Sequence, residues 1–235
     1  MNYYIAMAQK QEIFTLVGGR IKMLRGTYNP TSDAVWLAAF LPKLKPNAHI
    51  LDVGIGSGGV SLCITSHTDN VQITGIDKSA EMLACCKKNA ELNTKDIELI
   101  NADILTWRTS QTFDAVVTNP PYFHGTPAKH NAHHNANLTM WVRRCIARTK
   151  PRGYFCTIVS ADRLSEIVAE MNTHCGDITI LPLFGAKKTA ERVLLRGRVG
   201  VKSGTILYAG LPMNYEPVLR DGLTIEDSLA TLGWI

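Results

Sequence analysis

The sequence predicts an α/β fold, a mostly parallel sheet of seven to eight strands with helices on both faces. Short apolar, β-branched runs alternate with helix-length amphipathic stretches along the chain. The runs are near-continuous apolar blocks, as expected of strands covered on both faces. A glycine-rich turn follows the first of them, where a tight strand-to-helix connection needs positive φ. At 235 residues, 46% hydrophobic and 19% charged, the chain reads as one globular domain over 1–235.

Strands are expected at His49–Val53, Val71–Ile76, Ile97–Ile100, Phe113–Thr118, Tyr154–Val159 and Ile178–Leu183, with two later ones at Val193–Val199 and Thr205–Gly210. Helical patterns fall at Asp33–Leu41, Gly59–Thr65, Ser79–Leu92, Leu138–Arg148 and Asp162–Thr173. No apolar run is long enough for a membrane span. The first residues lack an apolar leader with a cleavage site, so no secretory signal is expected. Six cysteines without a CxxC pair suit reduced core thiols in a cytoplasmic protein.

In such a sheet a crevice opens at the carboxyl ends of the strands, where strand order reverses. The first strand runs into Asp52-Val-Gly-Ile-Gly-Ser-Gly-Gly, whose glycines let backbone N–H groups approach a ligand ahead of a helix N-terminus. Gly54, Gly56 and Gly59 also satisfy a dinucleotide pattern. The second strand ends at Asp77, a carboxylate placed to accept from two ribose hydroxyls. To this point a nicotinamide enzyme and an S-adenosylmethionine enzyme fit equally. Asn101-Ala102-Asp103 follows the third strand, an acceptor suited to an adenine amino group or a cap on the next turn.

Asn119-Pro120-Pro121-Tyr122-Phe123 follows the fourth strand and breaks the tie. Two prolines remove two N–H groups and stiffen the loop. The Asn119 side-chain oxygen and the Pro120 carbonyl remain as acceptors, and Tyr122 supplies a stacking face. An amine conjugated to a ring is a poor nucleophile. Two acceptors gripping its N–H bonds orient its lone pair and disperse the charge that develops during methyl transfer.

With Asp-x-Gly-x-Gly-x-Gly, an acidic strand end and Asn-Pro-Pro-Tyr in this order, the chain resembles class I S-adenosylmethionine-dependent methyltransferases that modify planar amino groups. Thr31-Ser32-Asp33 before the glycine loop and Arg192-Val193-Leu194-Leu195 late in the chain resemble the bacterial tRNA(Val) adenine-N6-methyltransferases of the methyltransferase small domain group, over roughly Ile13 to Arg220. The resemblance implies a Rossmann-like class I fold with S-adenosyl-L-methionine as cofactor. It implies that Asp52, Gly54, Gly56 and Gly58 line the cofactor, that Asp77 holds its ribose and that Asp103 faces its adenine. Asn119, Pro120, Pro121 and Tyr122 would hold the target amine, Asn119 beside the cofactor as well, while Thr31 and Asp33 help close the pocket. Residues 1–48 would then form the closing segment, 49–160 the cofactor-binding and catalytic half, and 161–235 the C-terminal strands with a basic substrate surface.

The formal net charge is +5, and its concentration in two clusters suits either a phosphate backbone or a solvated charged face; that the partner is RNA, tRNA foremost, is what the resemblance implies. Lys187, Lys188, Arg192, Arg196, Arg198 and Lys202 lie close together with one acid, Glu191. A second cluster, Arg143, Arg144, Arg148, Lys150 and Arg152, contains no acid. Lys187, Lys188 and Arg196 are expected to hold phosphates, and Tyr122 and Phe123 to stack on the base. His130, His133 and His134 lack a cysteine or acid beside them, so no metal is expected there, and the segment reads as a mobile substrate-contacting loop or a plain solvated one. Protein glutamine methylation uses the same Asn-Pro-Pro-Tyr chemistry and is the second enzymatic reading. A nucleic-acid-binding module with a vestigial pocket is the third.

Overall fold

The computed structural model describes residues 12–26, 29–68, 70–121 and 131–235, the last from side chain 138 onward. An antiparallel hairpin of β1 (Ile13–Leu16) and β2 (Ile21–Leu24) comes first. It is followed by α1 (Ser32–Phe40), β3 (His49–Val53), α2 (Gly59–Ile64), β4 (Gln72–Asp77), α3 (Ala80–Leu92), β5 (Glu98–Asn101) and β6 (Phe113–Thr118). Next are α4 (Asn131–Ile146), β7 (Thr149–Ser160), α5 (Leu164–His174), β8 (Cys175–Phe184) and β9 (Ala190–Val199). The chain closes with β10 (Thr205–Leu207), β11 (Leu211–Pro212), α6 (Glu216–Leu219) and α7 (Ile225–Thr231).

Among the described residues, nine strands share one sheet in the order β10-β8-β9-β7-β6-β3-β4-β5, with β11 beside β8. All pairings are parallel except those of β9 with β7 and β8. Residues 185–189 between β8 and β9 are too few for a crossover, which forces that pair to run antiparallel. The chain steps outward from β3 to β4 and β5, then returns to lay β6 on the other side of β3. The switch point therefore falls between β3 and β6.

Alternate residues of β3 face opposite layers. Ile50 packs with Trp36, Leu37, Phe40 and Leu62 on one side. Leu51 and Val53 pack with Val116, Val142, Ile146, Phe155 and Ile167 on the other. Eight of the nine α1 residues are buried, which makes it a core helix and explains why its sequence is apolar all round. Trp36 keeps its indole N–H satisfied on the Met213 carbonyl at 3.2 Å.

The hairpin, β11, α6 and α7 are additions to the sequence-based expectation. Two four-residue strands around Val17-Gly18-Gly19, with β1 facing mostly outward, leave too little alternation to read. β7 also starts at Thr149, through Pro151 and a left-handed Arg152 (φ 66°), where the sequence looks like a loop. Among the described residues, no helix is long and apolar enough to cross a membrane.

An ion pair ties α1 to β9: Arg192 Nε donates to Asp33 Oδ2 at 3.0 Å, with the carboxylate 3% exposed. Removing one partner of such a pair strands a buried charge. Arg192→Met should lower unfolding free energy by roughly 3 kcal/mol in urea titration. Adding Asp33→Asn should recover a large part of that loss. A double variant no more stable than Arg192→Met would contradict the pairing.

Candidate active site

β3 ends beneath a loop that only glycine accommodates easily. Gly54, Gly56 and Gly58 have φ of 72°, 54° and 90°. Gly54 N–H and Ile55 N–H both donate to the Ile76 carbonyl, and Gly56 N–H donates to Asp77 Oδ2 at 2.9 Å. Asp77 Oδ1 accepts from Ser79 N–H at 2.9 Å. The carboxylate thus holds the glycine loop against the end of β4, and each oxygen keeps a second lone pair for a ligand. Ser57 Oγ within the loop is buried without a hydrogen-bond partner among the described residues.

Beside this loop, the end of β5 is stitched to β4. Ala102 N–H and Asn101 Nδ2 both donate to the Asp77 carbonyl. Asp103 caps the next turn, its Oδ1 accepting from Leu105 N–H at 2.9 Å. On the other side β6 delivers Asn119, partly exposed, and a buried Pro120. Gly54, Gly56, Gly58, Asp77, Asp103, Asn119, Pro120 and Pro121 therefore share the carboxyl ends of adjacent strands. Tyr122, Phe123 and His130 lie outside the described residues, as do the side chains of His133 and His134, whose backbone belongs to α4 and not to the expected loop.

Thr31 and Asp33 reach the site as structural members. Thr31 Oγ1 caps α1 by accepting from Asp33 N–H. A side chain at Gly59 would strike Pro30, so the start of α1 rests directly on the start of α2. Asp33 itself is committed to Arg192 in the interior. Its expected part in closing the pocket is accordingly to fix α1, and its buried carboxylate presents no face to a ligand.

Asp52 is a second correction. It is 1% exposed, and Ser61 Oγ donates to its Oδ2 at 2.7 Å, so it supports the loop from below and does not line a pocket. Burial pushes its pKa up to about 7, against the lowering effect of the Ser61 hydrogen bonds.

The charge clusters change most between sequence and space. β7 runs parallel to β6, and β8 runs parallel to β7 because both are antiparallel to β9. The 185–189 loop, with exposed Lys187 and Lys188, therefore lies at the same sheet end as Asn119. Arg196 does not serve there. It lies over the rings of Phe40 and Tyr154, donates to the Phe40 carbonyl and pairs with Glu226. Arg198 and Lys202 belong to the opposite end, where β9 terminates. The Arg143–Arg152 cluster is acid-free only along the chain. Arg143 forms two hydrogen bonds to Glu170, which hold that carboxyl below the usual range. Lys150 pairs with Asp114, and Arg148 donates to the Thr109 and Trp107 carbonyls, all at the end of the sheet away from the site.

Sequence reading missed Asn89. This fully buried α3 side chain accepts from Leu24 N–H at 2.8 Å and donates to the Ser57 carbonyl at 2.9 Å. It joins the N-terminal hairpin to the glycine loop, and Asn93 adds bonds to both polar groups of the Lys22 backbone. Two asparagines four apart on one helix face were the available signal.

Between its ordinary value of 3.8 and about 7, native Asp52 holds a proton that the unfolded chain has released. Its contribution to stability falls as pH rises through that window and is constant above it. Asp52→Asn lacks this titration, so its stability relative to the unaltered protein should rise from about pH 4 to about pH 7. Urea midpoints for both proteins at about pH 5 and about pH 8 check this, and an equal difference at the two would contradict it.

Residues 33–176 match the family model "Methyltransferase small domain". The tRNA1(Val) (adenine(37)-N6)-methyltransferase of Escherichia coli O6:K15:H31 is 27% identical over 191 residues, covering 72% of this chain and 76% of that protein. The release factor glutamine methyltransferase of Shewanella oneidensis is 34% identical over 94 residues, covering 40% and 33%. The match spans about half the length of other curated relatives, 52% and 58% for the tRNA1(Val) enzymes of Glaesserella parasuis and Klebsiella pneumoniae. A predicted O-methyltransferase from Agrobacterium tumefaciens superposes with a TM-score of 0.64 at 22% identity, covering 77% of this chain and 86% of that one. A class I S-adenosylmethionine-dependent methyltransferase from Listeria monocytogenes superposes at 0.57 and 20% identity, covering 84% and 67%. The chain belongs to the methyltransferase small domain family of S-adenosylmethionine-dependent methyltransferases, with the class I fold.

Proposed function

We propose that the chain is an S-adenosylmethionine-dependent N-methyltransferase whose acceptor is the exocyclic amine of a nucleobase, adenine N6 of a tRNA foremost. The observation that carries this reading is the placement of three strand ends side by side. The glycine loop on β3, Asp77 on β4 and Asn119 on β6 bring cofactor-holding and amine-holding groups to one switch point. The residues fit the cofactor. Gly54 and Gly56 are partly exposed, Asp77 keeps acceptor capacity, and the orphaned Ser57 hydroxyl can take a polar partner. Bound there, S-adenosyl-L-methionine supplies a methyl group on a positively charged sulfur. The Asn119 side-chain oxygen and the Pro120 carbonyl accept the two N–H bonds of the amine, aim its lone pair and disperse its developing charge. A strong base is not required.

Two observations favour RNA over a protein glutamine. Similarity to the E. coli tRNA1(Val) enzyme extends over 191 residues, against 94 for the Shewanella release factor enzyme. Lys187 and Lys188 stand exposed at the catalytic end of the sheet, where a phosphate backbone would pass.

Asn119→Ala should leave S-adenosylmethionine affinity nearly unchanged and lower kcat by on the order of 10²–10³, by analogy with loss of one oxyanion-hole donor. Labelled-methyl transfer to total tRNA measures the rate and calorimetry the affinity. Near-normal turnover would place the acceptor elsewhere. The Lys187→Ala, Lys188→Ala double variant should bind tRNA with a log–log salt slope shallower by roughly 1.4, about 0.7 for each single-stranded phosphate no longer neutralised. Its kcat should hold, because these side chains position substrate only. Superimposable salt lines for the two proteins would remove RNA from the account.

A further inference from the structure

Among the polar contacts at the site, one chain of two hydrogen bonds crosses from α4 to both motif strands. Trp141 Nε1 lies 3.0 Å from Thr118 Oγ1, and Thr118 Oγ1 lies 2.8 Å from the Val53 carbonyl. An indole N–H can only donate, so the threonine hydroxyl accepts it and sends its own proton to Val53. Thr118 is fully buried. Val53 is the residue before Gly54, and Thr118 the residue before Asn119. The indole also packs on Gly54: a Cβ there would sit 3.2 Å from Trp141 Cζ2 and 3.5 Å from Cη2. One side chain therefore touches the first glycine of one loop and, through a hydroxyl, fixes the strand ends that carry both loops.

We propose that Trp141 is a positioning residue for methyl transfer, which sets the separation of the glycine loop from Asn119 by acting through Thr118. This rests on the reading that Gly54 borders the cofactor and Asn119 the acceptor. Each bond in the chain polarises the next, so the pair acts as a unit. A packing role alone would make the ring matter and the hydroxyl proton irrelevant.

S-adenosylhomocysteine binding tests this without any acceptor. Calorimetry would compare the unaltered protein with Thr118→Val, Thr118→Ser, Trp141→Phe and the Thr118→Val, Trp141→Phe double variant, with thermal unfolding recorded for each. Thr118→Val keeps shape without the hydroxyl, and Trp141→Phe keeps a ring without the donor. Each should weaken binding about three- to tenfold, the effect of one hydrogen bond. The double variant should be no weaker than the weaker single one, and Thr118→Ser should bind like the unaltered protein. Unchanged affinity in either single variant, even alongside a lowered Tm, would overturn the positioning role. Additive losses in the double variant, or failure of Thr118→Ser to restore binding, would overturn it as well. An unaltered protein that binds no S-adenosylhomocysteine would overturn the cofactor reading and the positioning role together.

Discussion

The backbone hydrogen bonds that pair β3 in parallel with β4 on one side and β6 on the other set Val53 level with Ile76 and with Thr118. The β4–β5 pairing puts Asp77 level with Asn101 in the same way. Every group assigned to the site follows within a few residues of those positions. A one-residue slip of either strand would turn its side chains to the opposite face and unmake the two apolar layers. The same burial that fixes the core therefore fixes the spacing of the loops. The remaining polar contacts refine this placement: Asp77 on Gly56, Asn89 on Ser57, and the Asp33–Arg192 pair that seats α1.

What the sequence discloses is what repeats or what is chemically unusual. Buried parallel strands such as His49–Val53 and Phe113–Thr118 are continuous apolar runs, and their observed bounds coincide with the expected ones. The glycine loop and the paired prolines stand out because few other conformations need them. The hairpin did not stand out, because Ile13–Leu16 is half exposed and its docking depends on Asn89, far along the chain. Asp52 looked like a cofactor ligand because motif position carries no information about burial. Trp141 and Thr118 look like ordinary residues of a helix and a strand, and only their contact across α4 and β6 gives them a shared role.

Charge was the least legible property. A run of like charges along a chain says nothing about the acids that fold against it. Glu170 meets Arg143, Asp114 meets Lys150, and Asp33 meets Arg192, over separations that no local window spans. These pairs belong to the fold, and partly exposed ones such as Lys150–Asp114 add little stability individually. Lys187 and Lys188 differ because their short loop follows β8 at the end of the sheet that carries Asn119, with both residues exposed. Of the residues expected to hold phosphates, Lys187 and Lys188 remain at the end of the sheet that carries Asn119.

A planar amine is common to a nucleobase and to a glutamine amide, so the role proposed for Asn119 and Pro120 serves either acceptor. On the proposed reading the choice is made outside that loop, by the exposed Lys187 and Lys188 at the same end of the sheet. The most direct measurement is mass spectrometry after incubating the purified chain with methyl-deuterated S-adenosylmethionine and either total tRNA or a peptide-release factor. Labelled N6-methyladenosine is expected in the nucleoside digest of the tRNA, with the release factor unlabelled. Label on a glutamine of the release factor, with none in the tRNA, would contradict the proposed reading.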